Sequence, residues 1–264
     1  MTTNTSTVIV SEPDAGIVTV RLNREAVFNA FDERMIEELT TAFEHISTRN
    51  DVRAVVLESG GPVFCAGADL QWMRRASEND QTANLQDAQR FARMMQAIRF
   101  CGKPTVARVQ GHAFGGGVGL CAACDIVVAS SGARFSVSEA RFGILPAVIG
   151  PYLVEAVGQR QARRLALTAE QISAAWAMEI GLIHQVVDVA ALDDAIGAVT
   201  QNLRKNGPRA LEEVKKFFDV IGEAPKGSEL YEYSAKTISR VRGTDEAREG
   251  FAAFFDKRPA SWTQ

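Results

Sequence analysis

The chain has 264 residues, of which 46% are hydrophobic and 23% charged, and its formal net charge is −3 at pH 7. This length and apolar content suffice for a large globular core, and the slight acidic excess argues against nucleic acid or an anionic membrane as the main partner. The sequence has no run of roughly 18 or more apolar residues, which argues against a membrane span. Its first seven residues lack the pattern of a signal or transit peptide, so we expect a cytoplasmic location.

The first part of the chain alternates strand and helix patterns. A strand is predicted at 17–22, and Asp32 is predicted to cap a helix whose apolar residues follow helical spacing. The elements predicted after it are a strand at 54–58, a long helix from 81 to about 101, a strand at 105–109, a small-residue helix at 116–123 and strands at 126–129 and 134–136.

The remainder of the chain has helical patterns only. Helices are predicted at 151–157, 159–167, 173–178, about 190–203, 208–220, 228–241 and 244–254. Strands that alternate with helices and then give way to helices alone predict an α/β protein. We therefore expect a βα core over residues 1–190 and a helical C-terminal region over residues 191–264.

The four cysteines lie in apolar or glycine-rich stretches, at Cys65, Cys101, Cys121 and Cys124. This setting is typical of buried thiols in a reducing compartment rather than of a disulfide framework. Cys121 and Cys124 have the spacing of a redox or zinc pair, but the sequence contains neither a second such pair nor a histidine in a ligand pattern beside them. No metal site is therefore predicted.

Two glycine-bearing stretches are the most informative feature of the sequence. They are Phe64-Cys65-Ala66-Gly67-Ala68-Asp69 and Gly111-His112-Ala113-Phe114-Gly115-Gly116-Gly117. Each follows a β-branched strand and precedes a helix, and the start of a helix leaves backbone N–H groups without partners. Two such loops side by side can offer two N–H donors to one oxygen that acquires negative charge, which is an oxyanion hole.

A lone carboxylate follows the second glycine stretch. Glu139 lies in an apolar segment that ends in Gly143 and Pro146. Removal from water raises the pKa of a carboxyl group toward the range that is useful in acid–base catalysis. A carboxyl group beside an oxyanion hole suits proton transfer next to a carbonyl group, because the hole stabilises the enolate that forms.

From about residue 8 to residue 260 the sequence resembles the enoyl-CoA hydratase/isomerase (crotonase) family. The resemblance rests on motifs that occur in the family's order: Leu22-Asn23-Arg24, Asn29-Ala30, residues 64–70, residues 103–107, Gly111, Gly115-Gly116-Gly117, Cys124-Asp125, Ser138-Glu139, Gly143, Pro146, residues 175–182 and residues 249–254. It implies a spiral of ββα units with a C-terminal helical region for trimerisation. It also implies an acyl-CoA thioester substrate, a homotrimer or dimer of trimers, and no cofactor beyond the coenzyme A that is part of the substrate.

The resemblance also assigns roles to particular residues. It places the oxyanion hole on the N–H groups of Ala68 and Gly116, and the catalytic carboxylate on Glu139. The residues that it implies for substrate and coenzyme A binding are Arg24, Glu25, Val27, Ala66, Ala68, Asp69, Leu70, Gln71 and Gly116.

One departure from the family pattern bears on the activity. Hydratases of this family commonly carry a second glutamate two residues after the triple glycine, where this sequence has Gly119. The surrounding residues most resemble bacterial methylglutaconyl-CoA and carboxygeranoyl-CoA hydratases. We therefore expect a lyase that adds water to the C2=C3 bond of an enoyl-CoA, with a branched or carboxylated acyl chain as one option. The alternative is a Δ3-Δ2 isomerase that uses the same glutamate.

Other interpretations remain open at the level of sequence. Residues 117–122 match the dinucleotide fingerprint G-x-G-x-x-A, but the next strand does not end in an acid. A serine hydrolase lacks its nucleophile motif, and a non-catalytic scaffold could bind coenzyme A without chemistry. The glycine triplet could serve close packing, and Glu139 could pair at the surface with Arg134 or Arg141. Arg74 or Arg141 could neutralise a carboxylate at the far end of an acyl chain.

Overall fold

The computed structural model describes residues 6–223 and 227–263. The first five residues, to which the expectation of no leader peptide partly refers, lie outside the described range. The elements in chain order are β1 (Val8–Val10), β2 (Ile17–Leu22), α1 (Glu33–Thr48), β3 (Ala54–Ser59), β4 (Val63–Cys65), α2 (Leu70–Glu78), α3 (Gln81–Arg99), β5 (Thr105–Val109), β6 (His112–Phe114), α4 (Gly116–Ala123), β7 (Ile126–Ser130), β8 (Arg134–Ser136), α5 (Gly150–Thr168), β9 (Ile172–Ser173), α6 (Ala174–Glu179), β10 (Gln185–Val187), α7 (Leu192–Arg204), α8 (Pro208–Glu223), α9 (Ser228–Arg242) and α10 (Asp245–Phe255).

The strands form two sheets. Six strands make the larger sheet in the order β1-β2-β3-β5-β7-β10, and four make the smaller one in the order β4-β6-β8-β9. Strands β3, β5 and β7 pair in parallel at the centre of the larger sheet. Their near-continuous runs of apolar residues are typical of parallel strands that are covered on both faces.

The core lies on both sides of the larger sheet. Val55 and Leu57 of β3 belong to the main cluster, which also contains the apolar face of α1. Val56 points to the opposite face, where it packs with Leu192 and Ile196 of α7. The alternation follows from the two-residue period of a strand. Helix α7, which falls in the predicted C-terminal region, is therefore packed directly on the core sheet.

The smaller sheet positions the three segments that the sequence singled out. Strands β4, β6 and β8 are parallel neighbours, so their carboxyl ends meet at one edge of the sheet. The first glycine stretch continues from β4, the second from β6, and the segment that contains Glu139 from β8. Ligands of open α/β sheets bind outside the carboxyl ends of strands, and this edge is where the candidate site lies.

The helices and strands predicted from the sequence all occur, with boundaries shifted by a few residues. The prediction of helices alone in the remainder of the chain is wrong, because β9 and β10 lie there and pair at the edges of the two sheets. The two helices predicted at 151–157 and 159–167 form one element, α5, that is interrupted at Gly158, where φ is +72°. Each glycine stretch follows a predicted strand, β3 or β5, and also contains residues of a short strand that was not predicted, β4 (Val63–Cys65) or β6 (His112–Phe114). The division at residue 190 stays a prediction.

Two further expectations concern cysteines and membranes. All four cysteines are buried and free, which confirms the predicted thiols. Among the described helices, none combines the length and the apolar character that crossing a bilayer requires.

Candidate active site

A cavity of about 590 Å³ opens at the carboxyl ends of β4, β6 and β8. Its wall is mostly apolar, with a few polar groups among hydrocarbon and aromatic side chains, as is usual for small-molecule sites. Residues from both glycine stretches, from the Glu139 segment and from α2 and α3 line it, and the segment from residue 141 to residue 149 closes its outer side.

Two backbone hydrogen bonds to Phe31 fix the conformation of the first glycine stretch. Phe31 donates its N–H to the Gly67 carbonyl at 2.9 Å, and Asp69 donates its N–H to the Phe31 carbonyl at 3.0 Å. Gly67 has a φ of +91°, which a residue with a side chain rarely adopts. Among the described residues, no hydrogen bond uses the N–H of Ala68, the residue between these two, and Ala68 lines the cavity.

The second glycine stretch ends in the start of α4. Gly115 has a φ of +50° and donates its N–H to the Ser136 carbonyl at 2.8 Å. Gly116 is the first residue of α4, so its N–H has no acceptor inside the helix. The helix dipole adds a partial positive charge at the same place. Gly116 lines the cavity together with Ala68.

The two glycine stretches touch each other through backbone atoms. A Cβ atom added to Gly67 would lie 2.8 Å from the Phe114 carbonyl oxygen and 3.5 Å from the Gly116 nitrogen. A Cβ atom added to Gly117 would lie 2.5 Å from the Cys65 carbonyl oxygen. Real Cβ atoms are not found this close to backbone, so glycine is needed for the close packing of the stretches as well as for their conformation.

Glu139 begins a short 3-10 helix, Glu139–Phe142, at the edge of the cavity. Its Oε2 is buried and has no hydrogen-bond partner among the described residues. Burial raises the pKa of Glu139, and the nearby N–H groups of Glu139 itself and of Ser138 oppose this only in part. A Cβ atom added to Gly115 would lie 3.4 Å from Glu139 Oε1, so the carboxyl group faces the second glycine stretch.

The surface ion pair considered for Glu139 is absent from the described part of the chain. Arg141 donates to the Ala169 carbonyl at 2.6 Å, and Arg134 donates to the Ala133 carbonyl at 2.9 Å. Arg141 lines the cavity, whereas Arg74 is exposed and does not.

The nucleotide fingerprint at residues 117–122 is wrong as a binding motif. Its two glycines face packed protein atoms: Gly117 lies against Cys65, and Gly119 lies against the side chains of Ile149 and Met95. These contacts fill the space beside Gly117 and Gly119 that a pyrophosphate would need in a dinucleotide site.

The cavity collects part of the predicted substrate-binding set. Ala66, Ala68, Leu70, Gly116 and Glu139 line it. Leu70 is 77% exposed, so it marks the opening of the cavity. The predicted residues that do not line the cavity are Arg24, Glu25, Val27, Asp69 and Gln71.

Two of these residues, Arg24 and Asp69, stabilise the first glycine stretch through contacts outside the cavity. The Arg24 guanidinium lies 3.1 Å from the Asp69 carboxylate and 3.0 Å from that of Asp32. Asp69 also accepts the N–H groups of Gln71 at 2.8 Å and Trp72 at 3.1 Å, which caps α2. Burial alone would raise the pKa of Asp69, but these N–H groups and Arg24 together lower it.

The other three lie on the exposed surface beside this network. Glu25 and Val27 belong to the short 3-10 helix Glu25–Val27, where the Glu25 carboxyl group covers Gly60, and Gln71 is exposed on α2. Contact of these residues with coenzyme A stays a prediction.

An aromatic group forms a wall of the cavity that the sequence did not identify. The ring centroids of Phe31 and Phe91 are 5.0 Å apart, and those of Phe31 and Trp72 are 6.1 Å apart. Residues 84, 87, 88 and 91 of α3 line the cavity as well. The sequence showed an apolar stripe on this helix at Phe91, Met94, Met95 and Ile98, but such spacing does not distinguish a cavity wall from core.

Comparisons with known proteins agree with this arrangement. A family model described as enoyl-CoA hydratase/isomerase matches residues 12–264. An (E)-benzylidenesuccinyl-CoA hydratase from Thauera aromatica is 30% identical over 241 residues, which cover 90% of this chain and 92% of that protein. The mitochondrial enoyl-CoA hydratase of Pongo abelii is 31% identical over 248 residues, with 92% and 82% covered.

Solved structures with a similar fold agree with these sequence comparisons. The crystal structure of an enoyl-CoA hydratase from Shewanella pealeana matches with a TM-score of 0.94 and 37% sequence identity, over 97% of this chain and 96% of that one. The predicted α/β fold of the crotonase type is thereby confirmed. Because the family model and the solved structure each match nearly the whole length, the chain belongs to the enoyl-CoA hydratase/isomerase family.

Proposed function

We propose that the protein is a hydratase that adds water to the C2=C3 bond of an enoyl-CoA, or removes it in the reverse direction. The observation that carries the proposal is the buried, unpartnered Oε2 of Glu139 beside two glycine stretches with unused N–H groups in one apolar cavity. The names of the relatives support hydration, since the two relatives cited above are both hydratases.

The thioester oxygen of the substrate accepts hydrogen bonds from the N–H groups of Ala68 and Gly116 in this proposal. Attack on C3 moves the electrons of the C2=C3 bond toward the thioester, whose oxygen becomes negative. One preorganised donor to such an oxygen is worth about 2.7–4 kcal/mol in the transition state. The N-terminal end of α4 adds to this stabilisation because its dipole favours negative charge.

Glu139 performs both proton transfers. Its carboxylate accepts a proton from a water molecule as the water oxygen bonds to C3, and the resulting carboxyl group then gives the proton to C2. The enolate becomes a thioester again and the carboxylate is restored, so one residue completes the cycle. A raised pKa suits this double role, because the group must be a base in one step and an acid in the next.

Isomerisation from Δ3 to Δ2 is the second candidate. Glu139 would then take a proton from C2 and return it to C4 or the reverse, with no water consumed. Isomerisation also requires only one proton-transferring residue, so the single carboxylate is compatible with both candidates.

The acyl group that we propose is branched or carboxylated, as in methylglutaconyl-CoA. The apolar wall of the cavity and the presence of Arg141 in it support this, as does a relative named as an (E)-benzylidenesuccinyl-CoA hydratase. Asp69 and Gln71 flank Leu70 at the opening of the cavity, and in this proposal the coenzyme A lies there, against these residues and Arg24, Glu25 and Val27.

We further propose a cytoplasmic homotrimer or dimer of trimers. Large apolar side chains that are exposed on the C-terminal helices support an assembly, among them Phe218, Phe251, Phe254 and Phe255.

The first test is the hydration of crotonyl-CoA by the wild type and by Glu139→Gln. We expect kcat to fall at least about 10²-fold, the scale of general acid–base catalysis, while KM changes little. Glu179→Gln on the exposed end of α6 is the matched control and should keep full activity. Near-wild-type turnover by Glu139→Gln would refute the assignment, and double-bond migration without water addition would favour the isomerase.

A further inference from the structure

The space beside Gly119 is occupied by hydrocarbon. A Cβ atom added to Gly119 would lie 2.3 Å from Cγ2 and 2.9 Å from Cβ of Ile149, and 3.3 Å from Cε of Met95. Ile149 is 2% exposed and lines the cavity. Its carbonyl accepts the Leu153 N–H at 3.0 Å as α5 begins, which fixes its backbone. The side chain of Ile149 therefore fills the place that any side chain at position 119 would need.

The position of this contact relative to the reacting atoms follows from the geometry of α4. Gly119 is three residues after Gly116 and four after Gly115, so the three share one face of the helix. Gly115 is next to the Glu139 carboxyl group, and Gly119 lies about 6 Å further along the helix axis. Glu139 and Ile149 both line the cavity, so an acyl chain that is held at Gly116 and extends along this face of α4 would meet Ile149.

We propose that Ile149 limits the width of the acyl group that the cavity accepts at the carbons next to the thioester. Gly119, which has no side chain, leaves the room that Ile149 occupies. The inference rests on the proposed function for the orientation of the acyl chain. Ile149 and Gly119 together determine whether the cavity prefers a straight acyl chain or one that is branched at C3.

Binding of two saturated thioesters tests the proposal without any chemistry. Butyryl-CoA and 3-methylbutyryl-CoA differ by one methyl group at C3, and neither can be hydrated. One methylene group in a hydrophobic pocket changes discrimination by roughly 10- to 200-fold. We expect Ile149→Ala to shift the ratio of the two dissociation constants by about 10-fold in favour of 3-methylbutyryl-CoA. Ile149→Val, which is a smaller truncation, should shift it less and in the same direction.

A second arm tests the pairing with Gly119. We expect Gly119→Ala to weaken binding of both thioesters, because the new Cβ pushes Ile149 into the cavity, and Gly119→Ala/Ile149→Ala to restore it. Alanine has the higher helix propensity, so a loss cannot come from the helix itself. Gly197→Ala is the matched control, since a Cβ at that helical position meets nothing within 4 Å. Ile46→Ala is the matched control for Ile149→Ala, since it removes an equally buried isoleucine outside the cavity.

The outcomes separate this inference from the hydratase proposal. An unchanged ratio of dissociation constants in a folded Ile149→Ala or Ile149→Val protein overturns it, as does Gly119→Ala binding that equals the wild type. Failure of the wild type to hydrate any enoyl-CoA would refute the proposed function alone, because the binding ratio does not depend on turnover.

Discussion

Glu139 is the residue at which function and stability conflict. The Glu139 carboxyl group is buried, and its Oε2 has no hydrogen-bond partner among the described residues. Burial disfavours the charged form, so the folded-state pKa of Glu139 lies above the ordinary 4.5. Below pH 4.5 the group is protonated in the folded and the unfolded protein alike. As the pH rises through the raised folded-state pKa, the buried group ionises and its contribution to stability is lost.

Glu139→Gln should therefore raise the melting temperature at neutral pH. Glutamine has nearly the same shape and carries no charge, so it avoids the desolvation of a carboxylate. The difference from the wild type should shrink as the pH falls from neutral through the raised folded-state pKa toward 4.5, and thermal melts across this range measure it. A variant that melts at or below the wild-type temperature at neutral pH would show that the carboxylate is stabilised in a way that the contacts described above do not include.

At this scale the sequence identified Glu139 as the reactive group, but it did not show the contacts that hold the first glycine stretch in place. Glu139 stood out because it is a lone acid in an apolar segment, which is local information. The ion network of Arg24 joins residues 45 positions apart, and no periodicity or motif carries such a contact. For the same reason the sequence did not show that Ile149 faces Gly119.

At the scale of elements, the second glycine stretch sets the direction of the Gly116 N–H. Gly115 combines a φ of +50° with a ψ of −122°, which only glycine adopts readily. A side chain there would also point at the Glu139 and Ser138 side chains, at 3.4 Å and 3.5 Å. The conformation thus joins the end of β6 to α4 and leaves the N–H groups at the start of α4 beside the carboxyl group.

Gly115→Ala should reduce hydration because the loop must rotate to accommodate a Cβ. Loss of one oxyanion donor costs about 10²–10³-fold in kcat, and we expect a loss of that order in the enoyl-CoA assay. Backbone strain of roughly 1–3 kcal/mol should lower the melting temperature as well. Gly197→Ala, in the interior of α7, should leave the rate of hydration unchanged and should not lower the melting temperature, because alanine has the higher helix propensity. Full activity in Gly115→Ala would mean that this turn does not orient the donor.

The short strands explain what was missed at this scale. β4 and β6 have three residues each, too few for a two-residue alternation to be recognised, and they pair with each other rather than with the larger sheet. The sequence therefore predicted the loops and the helices on either side but not the smaller sheet that brings them together.

For the whole molecule, the order of the central strands and of the helices was readable because β3, β5 and β7 are largely apolar runs and α1 and α3 are long helices with an apolar face. The separation into two sheets was not readable, since it depends on which strands pair. Leu192 and Ile196 of α7 cover the second face of the larger sheet, and the division at residue 190 stays a prediction. That packing shows that the helical region begins with a helix on the core sheet.

The most direct test of the whole account is a crystal structure of the protein with butyryl-CoA. We predict that the thioester oxygen lies within about 2.7–3.1 Å of the Ala68 and Gly116 nitrogens, with the Glu139 carboxyl group within roughly 3–3.5 Å of C2 or C3. A thioester oxygen bound by other groups, or an acyl chain outside the cavity between Glu139 and Ile149, would contradict it.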